Sequence, residues 1–146
     1  MTGNDILYLV IPCYNEEAVL HETAKQLLAK MNSMFDRGMI SRESKIMFVN
    51  DGSRDKTWEI IKELHESNPI YSGVKLSRNK GHQNALLAGL THAKDHCDMA
   101  ISLDADLQDD IDVIDQFVEQ YLDGSDIVYG VRSARDTDTA FKRTTA

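Results

Sequence analysis

Short apolar runs alternate with stretches of helical periodicity along almost the whole chain, and this alternation restricts the fold more than any other feature. Residues 6–11 (ILYLVI), 45–50 (KIMFVN), 99–103 (MAISL) and 126–131 (DIVYGV) have the length and apolar character of buried strands, and 71–77 (YSGVKLS) is a weaker example. Between them, residues 16–35 place Leu20, Ala24, Leu27, Leu28, Met31 and Phe35 at helical spacing. Residues 56–66 do the same with Trp58, Ile61 and Leu64, residues 82–95 with Ala85, Leu86, Leu90 and Ala93, and a fourth helix is expected over 111–122. Strands alternating with helices in this way predict an α/β domain: a mostly parallel sheet with helices on both faces. Strands buried on both faces are expected to be near-continuously apolar. The polar stretch 34–44 reads as a connector, and 133–146 (SARDTDTAFKRTTA) shows no strong pattern and no closing strand. The chain therefore reads as part of a domain, cut off at its carboxyl end.

The formal net charge of −8 over 146 residues leaves no basic stripe to neutralise phosphates, so no nucleic acid is expected as partner. A phosphorylated ligand stays possible, because a bound cation can invert a local field. Cys13 and Cys97 lack CxxC spacing and read as buried thiols of a reducing compartment. No apolar run approaches the roughly eighteen residues of a membrane span, and no signal-peptide pattern opens the chain, which gives a cytoplasmic expectation.

In open parallel sheets ligands bind outside the carboxyl ends of the strands. Each predicted strand leads into a polar stretch: Pro12-Cys13-Tyr14-Asn15-Glu16-Glu17, then Asp51-Gly52-Ser53, then Arg78-Asn79-Lys80-Gly81, then Asp104 to Asp110, then Arg132 and Arg135. In an extended segment residues two apart face one side, so Asp104, Asp106 and Gln108 could converge on one point. Hard divalent ions take oxygen ligands, and Mg²⁺ is commonly held by one or two carboxylates plus substrate phosphates. The bland alternative is a solvated acidic loop whose last carboxylates cap the next helix, a reading that suits Asp110 and Asp112. Asp51, at a strand end outside the core, could accept from a ribose or a base N–H, or simply form an Asp-Gly turn. Asp55 reads as the cap of the following helix. The basic loop before residue 82 suits an anion, but neither a Walker motif nor a dinucleotide fingerprint is present. His82 reads as a loop residue rather than a metal ligand, and no Ser-His-Asp set is available.

Five blocks, VIPCYNEE (10–17), FVNDGSRDKT (48–57), LSRNKGHQNALLAG (76–89), LDADLQDD (103–110) and VYGVRSARDTDTAFKR (128–143), resemble in order and spacing the family 2 glycosyltransferases of GT-A, Rossmann-like fold. The subgroup most similar transfers sugar to polyprenyl phosphate: bactoprenol-phosphate glucosyltransferases and dolichol-phosphate mannose synthases. One departure is Asp110-Ile111, where the family commonly has Pro after the acidic block. The resemblance implies that Pro12, Tyr14 and Glu16 line a nucleotide pocket, that Val49 and Asp51 contact the base, and that Asp104 and Ala105 touch the ribose and sugar. It implies that Asp106 and Gln108 hold Mg²⁺ or Mn²⁺ on the diphosphate. Arg132, with Arg135 as the weaker candidate, would approach the phosphates from the far side. Asp104, Asp106 and Arg132 form the expected catalytic set.

On this reading residues 1–146 are the nucleotide-sugar-binding part of a longer, membrane-associated enzyme of the cell envelope, facing the cytoplasm. The expected reaction is metal-dependent, inverting transfer from a nucleotide-diphosphate sugar, best UDP-glucose, to a polyprenyl phosphate such as bactoprenol phosphate. Three alternatives stand beside it. They are a family member with another acceptor, a haloacid-dehalogenase-type phosphatase suggested by the Asp-Ala-Asp triplet, and a non-catalytic nucleotide-sugar-binding module. In such phosphatases the triplet follows the first strand, whereas here it follows the fourth.

Overall fold

The computed structural model describes residues 4–107, 111–124, 127–132 and 139–144, the last two segments as strand backbone. The chain runs β1 (Leu7–Cys13), α1 (Leu20–Asp36), β2 (Lys45–Asn50), α2 (Thr57–Ser67), β3 (Tyr71–Lys75), α3 (His82–Ala93), β4 (Met99–Ser102), α4 (Val113–Leu122), β5 (Ile127–Arg132) and β6 (Thr139–Thr144). Four strands form a parallel sheet in the order β3-β2-β1-β4.

The two faces of that sheet are unequal. Leu7, Leu9 and Ile11 of β1 and Ile46 and Phe48 of β2 join Leu20, Ala24, Leu27, Met31 and Met34 of α1, Ile60 and Ile61 of α2 and Ile114, Phe117 and Val118 of α4 in one large core. Side chains alternate across a strand, so Val10, Met47 and Val49 face the other way. There they pack under α3 on Ala85 and Ala93. Each fully buried Leu, Ile or Phe contributes about 1.5–3 kcal/mol, so most of the stability resides on the α1 face. On the thinner face Gly89 sets the spacing of α3: a Cβ there would lie 2.6 Å from Val10 Cγ1 and 2.7 Å from Val49 Cγ2.

Two expectations about the carboxyl end are corrected. β5 does not join the parallel sheet; it pairs antiparallel with β6, from Ile127↔Thr144 to Arg132↔Thr139. The tail read as patternless therefore contains a strand. An antiparallel ribbon tolerates polar residues that a doubly buried parallel strand excludes, so TAFKRT lacks the continuous apolar run that marks the other strands. Helix α1 also starts later than its periodicity predicts: the chain first makes a turn in which the Val19 N–H donates to the Glu16 carbonyl at 3.0 Å, and the regular helix begins at Leu20. Cys13 is buried and its thiol is pushed up by burial, whereas Cys97 is only half-buried.

Candidate nucleotide-sugar site

Strand order reverses between β1 and β4: from β1 the chain builds outward through β2 and β3, then returns to the other side of β1 for β4. Such a switch point opens a crevice at the carboxyl edge. The β1–β4 ladder ends at Val10↔Ser102, with the Leu103 N–H still donating to the Val10 carbonyl at 3.1 Å, while β1 stays paired with β2 as far as Cys13↔Asn50. The two chains part beyond Leu103, and a cleft of about 390 Å³ lies there.

Pro12, Cys13, Tyr14 and Glu16 supply the β1 wall, Asp51 the end of β2, and Asp104, Ala105 and Asp106 the β4 wall. Seven of the residues singled out in the sequence, Pro12, Tyr14, Glu16, Asp51, Asp104, Ala105 and Asp106, thus meet at one cavity. Val49 does not: it is fully buried in the small core under α3. Gln108 and Arg135 lie outside the described residues, and Arg132 is described only as the last backbone position of β5. Asn79, Gly81 and His82 complete the lining. His82 is the first residue of α3 rather than a loop residue, and it faces the cavity. Its place just beyond the third strand was the available signal, since the carboxyl ends of the other strands in the sheet also carry lining residues.

Asp51 was expected outside the core. It is only 3% exposed, and its Oδ1 accepts the Lys80 N–H at 2.7 Å while Oδ2 accepts from Asn79 Nδ2 at 3.3 Å. The β3–α3 loop is thereby tied to the end of β2. Gly52 permits this approach. Its φ is +69°, and a Cβ there would sit 2.3 Å from the Asn79 nitrogen and 2.4 Å from the Arg78 carbonyl carbon.

Residues 104–107 form a turn rather than the extended segment expected through Asp104 and Asp106, and Gln108 lies outside the described residues. The Leu107 N–H donates to the Asp104 carbonyl at 3.1 Å, and Leu107 has φ +50°. Thr23 of α1, 2% exposed, donates its hydroxyl to the Ala105 carbonyl at 2.5 Å and pins the turn between its two aspartates. Below it, Lys30 bridges Asp112 at 2.9 Å and Asp115 at 3.0 Å, and Arg37 also binds Asp115, joining α1 to α4.

Burial, and after it the charges of Asp106, Asp55 and Asp104, push the Glu16 carboxyl above the usual carboxylate range. Like charges converging on one cavity favour a cation between them. Among the described residues no three His, Cys, Asp or Glu side chains form a complete metal-binding group. The donor set present suits a hard cation that takes its remaining ligands from a bound diphosphate.

Residues 8–145 match the sequence profile of glycosyl transferase family 2. An uncharacterized glycosyltransferase of Bacillus subtilis, YkoT, is 52% identical over 97% of this chain and 42% of its own length. A prophage bactoprenol glucosyl transferase homolog of Escherichia coli is 41% identical over 94% of this chain and 42% of its own. The chain therefore spans less than half the length of these relatives. Among solved structures, the mannosyltransferase PcManGT from Pyrobaculum calidifontis, in complex with GDP-Man and Mn²⁺, superposes with a TM-score of 0.57 at 21% identity, over 72% of this chain and 28% of that one. S. aureus TarS in complex with UDP-GlcNAc gives 0.58 at 17% identity, over 80% and 32%. These likenesses establish the GT-A fold. The phosphatase reading of the Asp-Ala-Asp triplet has no support beside the family match.

Proposed function

Since the chain belongs to glycosyl transferase family 2, we propose that its cleft binds the donor of a sugar-transfer reaction, a nucleotide-diphosphate sugar with UDP-glucose as the best candidate. The acceptor we propose is a polyprenyl phosphate, the class named by relatives called bactoprenol glucosyl transferase. The observation that carries the reading is the position of Asp104 and Asp106 at the β1/β4 switch point, facing Tyr14, Glu16 and Asp51 across one cavity.

Each wall has a task. Asp51 keeps lone pairs beyond the two bonds it accepts and can receive a base N–H. Tyr14, 43% exposed, offers a ring at the mouth against which a base can lie. To Asp104 and Ala105, which line the same cavity, we assign contact with the ribose and sugar. Asp106, with Gln108, would hold Mg²⁺ or Mn²⁺, which when bound supplies Lewis-acid neutralisation of the departing diphosphate. Arg132 and Arg135 are proposed as further phosphate contacts. A polyprenyl phosphate is largely an oxyanion near neutral pH, since the second pKa of a phosphate monoester is about 6. The protein therefore needs alignment more than a general base, and in-line attack inverts the anomeric carbon.

Among the described residues no helix is long and apolar enough to cross a membrane. Membrane association on the cytoplasmic side is proposed for the longer protein on a different ground: the acceptor class named by the bactoprenol glucosyl transferase relatives is a lipid. The test is calorimetric titration of residues 1–146 with UDP-glucose, GDP-mannose and dTDP-glucose, in Mn²⁺ and in EDTA. Metal-dependent binding of UDP-glucose is expected, with transfer to polyprenyl phosphate recovered only in the longer protein. Equal affinities with and without metal would refute the metal role.

A further inference from the structure

The loop that carries Tyr14 and Glu16 is held by side chains of a segment about forty residues away, which the donor reading leaves without a role. Three successive N–H groups of this loop are received by three different side-chain oxygens. Asn15 N–H donates to Ser53 Oγ at 2.9 Å, Glu16 N–H to Thr57 Oγ1 at 2.9 Å, and Glu17 N–H to Asp55 Oδ2 at 3.2 Å. A fourth bond runs the other way, from Arg54 N–H to Asn15 Oδ1 at 2.8 Å. The Thr57 hydroxyl donates in turn to Asp55 Oδ1 at 2.6 Å, so the Glu16 amide begins a chain of hydrogen bonds that terminates on a carboxylate. Thr57 is fully buried.

We propose that Ser53, Asp55 and Thr57 are positioning residues for the cleft: their side-chain oxygens clamp the backbone of Asn15, Glu16 and Glu17 and so set Tyr14 and Glu16 on its wall. The backbone shows why a clamp is needed. Asn15 has φ +53°, in the left-handed region that non-glycine residues rarely adopt and that Asn tolerates best. That kink redirects the chain between Tyr14 and Glu16, both of which line the cavity. It also leaves the N–H groups of residues 15–17 outside any strand or helix ladder. Glu16 is half-buried, so its donor needs a partner within the protein, while Asn15 and Glu17 are exposed and are held by side chains where water could otherwise serve. Ser53, Asp55 and Thr57 supply these partners.

Helix capping does not explain this arrangement: the N-cap of α2 is Lys56, which makes no side-chain cap bond, and this corrects the reading of Asp55 as the cap. Asp55 Oδ1 does accept the Thr57 N–H at 2.9 Å at the start of α2, but the second carboxylate oxygen, the Ser53 hydroxyl and the Thr57 hydroxyl all serve the β1 loop.

The proposal rests on the donor reading for its consequence but not for its geometry, and two measurements on the full chain separate them. Thr57→Val removes the hydroxyl, keeps the shape, and leaves the Asp55 bond to the residue 57 amide in place. Hydrogen exchange at the Glu16 amide should then accelerate about tenfold or more, with the α2 amides unchanged. UDP affinity in Mn²⁺ should fall about tenfold through the loosened wall. Thr57→Ser, which restores the hydroxyl, should recover both. Ser53→Ala, at a half-exposed position, makes the same test at the Asn15 amide should Thr57→Val not fold.

Unchanged protection of the freed amide overturns the clamp. A freed amide with unchanged UDP affinity overturns the positioning role. If the native chain binds no UDP, the donor reading fails, and the exchange measurement alone decides the clamp.

Discussion

The two walls of the cleft are built on different physical terms. The β1 wall is held by neutral and charge-assisted hydrogen bonds from Ser53, Asp55 and Thr57, each donor paired with an oxygen at 2.9–3.2 Å. All of its partners come from the chain itself. The β4 wall is a short acidic turn, pinned at its middle by the Thr23 hydroxyl and braced from below by Lys30 and Arg37 through α4. Burial first, and then the charges of its Asp106 and Asp104, raise the Glu16 carboxyl across the gap, so like charges face one another over the cleft and a cation between them would be favoured. One wall gives shape and the other gives a demand for charge. The donor proposed above, with its base and its metal-bridged diphosphate, would satisfy the two together.

The most severe way to break this division is to strike where the end of β2 meets the β3–α3 loop. Gly52→Ala places a Cβ within 2.4 Å of the Arg78–Asn79 backbone at a φ of +69°. Destabilisation of about 3 kcal/mol or more is expected, read from the shift in denaturant midpoint. The second wall can be discharged while leaving the first intact. Asp106→Asn should weaken UDP binding roughly tenfold to a hundredfold in Mn²⁺ and hardly at all in EDTA, by calorimetry. Equal losses in both conditions would mean that Asp106 acts as a shape residue like those of the β1 wall.

Thr23→Val tests whether one hydroxyl holds the acidic turn. The Ala105 carbonyl loses its buried donor, a cost of about 1–2 kcal/mol in thermal or chemical unfolding, with Thr23→Ser recovering most of it.

The smallest effect concerns the brace. Against the opposing effect of burial, the bonds from Arg37 and Lys30 hold the Asp115 carboxyl below the usual carboxylate range. A folded-state pKa below the unfolded one, about 3.9, means the contribution is complete above that value and lost as pH falls toward the folded value. Ion pairs of this kind contribute at most about 1 kcal/mol. Asp115→Asn should therefore reduce stability slightly at neutral pH and leave it unaltered in strong acid, as measured by urea unfolding across pH.

Much of this arrangement was legible before the fold was known, because some signals are local. Near-continuous apolar runs such as ILYLVI and KIMFVN report burial on both faces, and strand–helix alternation reports a parallel sheet. The ends of those runs pointed to Pro12, Tyr14, Glu16, Asp51, Asp104 and Asp106, and all six line one cavity. The misses were non-local. Nothing in TAFKRT reveals that it pairs with DIVYGV, since an antiparallel partner is chosen across the ribbon rather than along the chain. The period-two expectation for Asp104, Asp106 and Gln108 assumed extended backbone, and the Asp104–Leu107 hydrogen bond replaced it with a turn. Asp55 reads as a helix cap from its neighbours alone, but the cap position is Lys56; one Asp55 oxygen accepts the Thr57 N–H and the other the Glu17 N–H.

By itself, the sequence determined the class of fold, the family and which ends of the parallel strands meet at the cleft. Hydrophobic period, turn residues and motif order carry that information, and all of them are written along the chain. The tertiary structure decided that Val49 lies under α3 rather than at the cleft, that Asp51 is a buried anchor for the β3–α3 loop, and that His82 faces the cavity. It also decided that Ser53, Asp55 and Thr57 serve a loop about forty residues before them. The physical reason is the same in each case. A backbone donor left unpaired by a kink takes whichever acceptor the packed sheet brings within about 3 Å, and only the packing of β1 beside β2 determines which one that is.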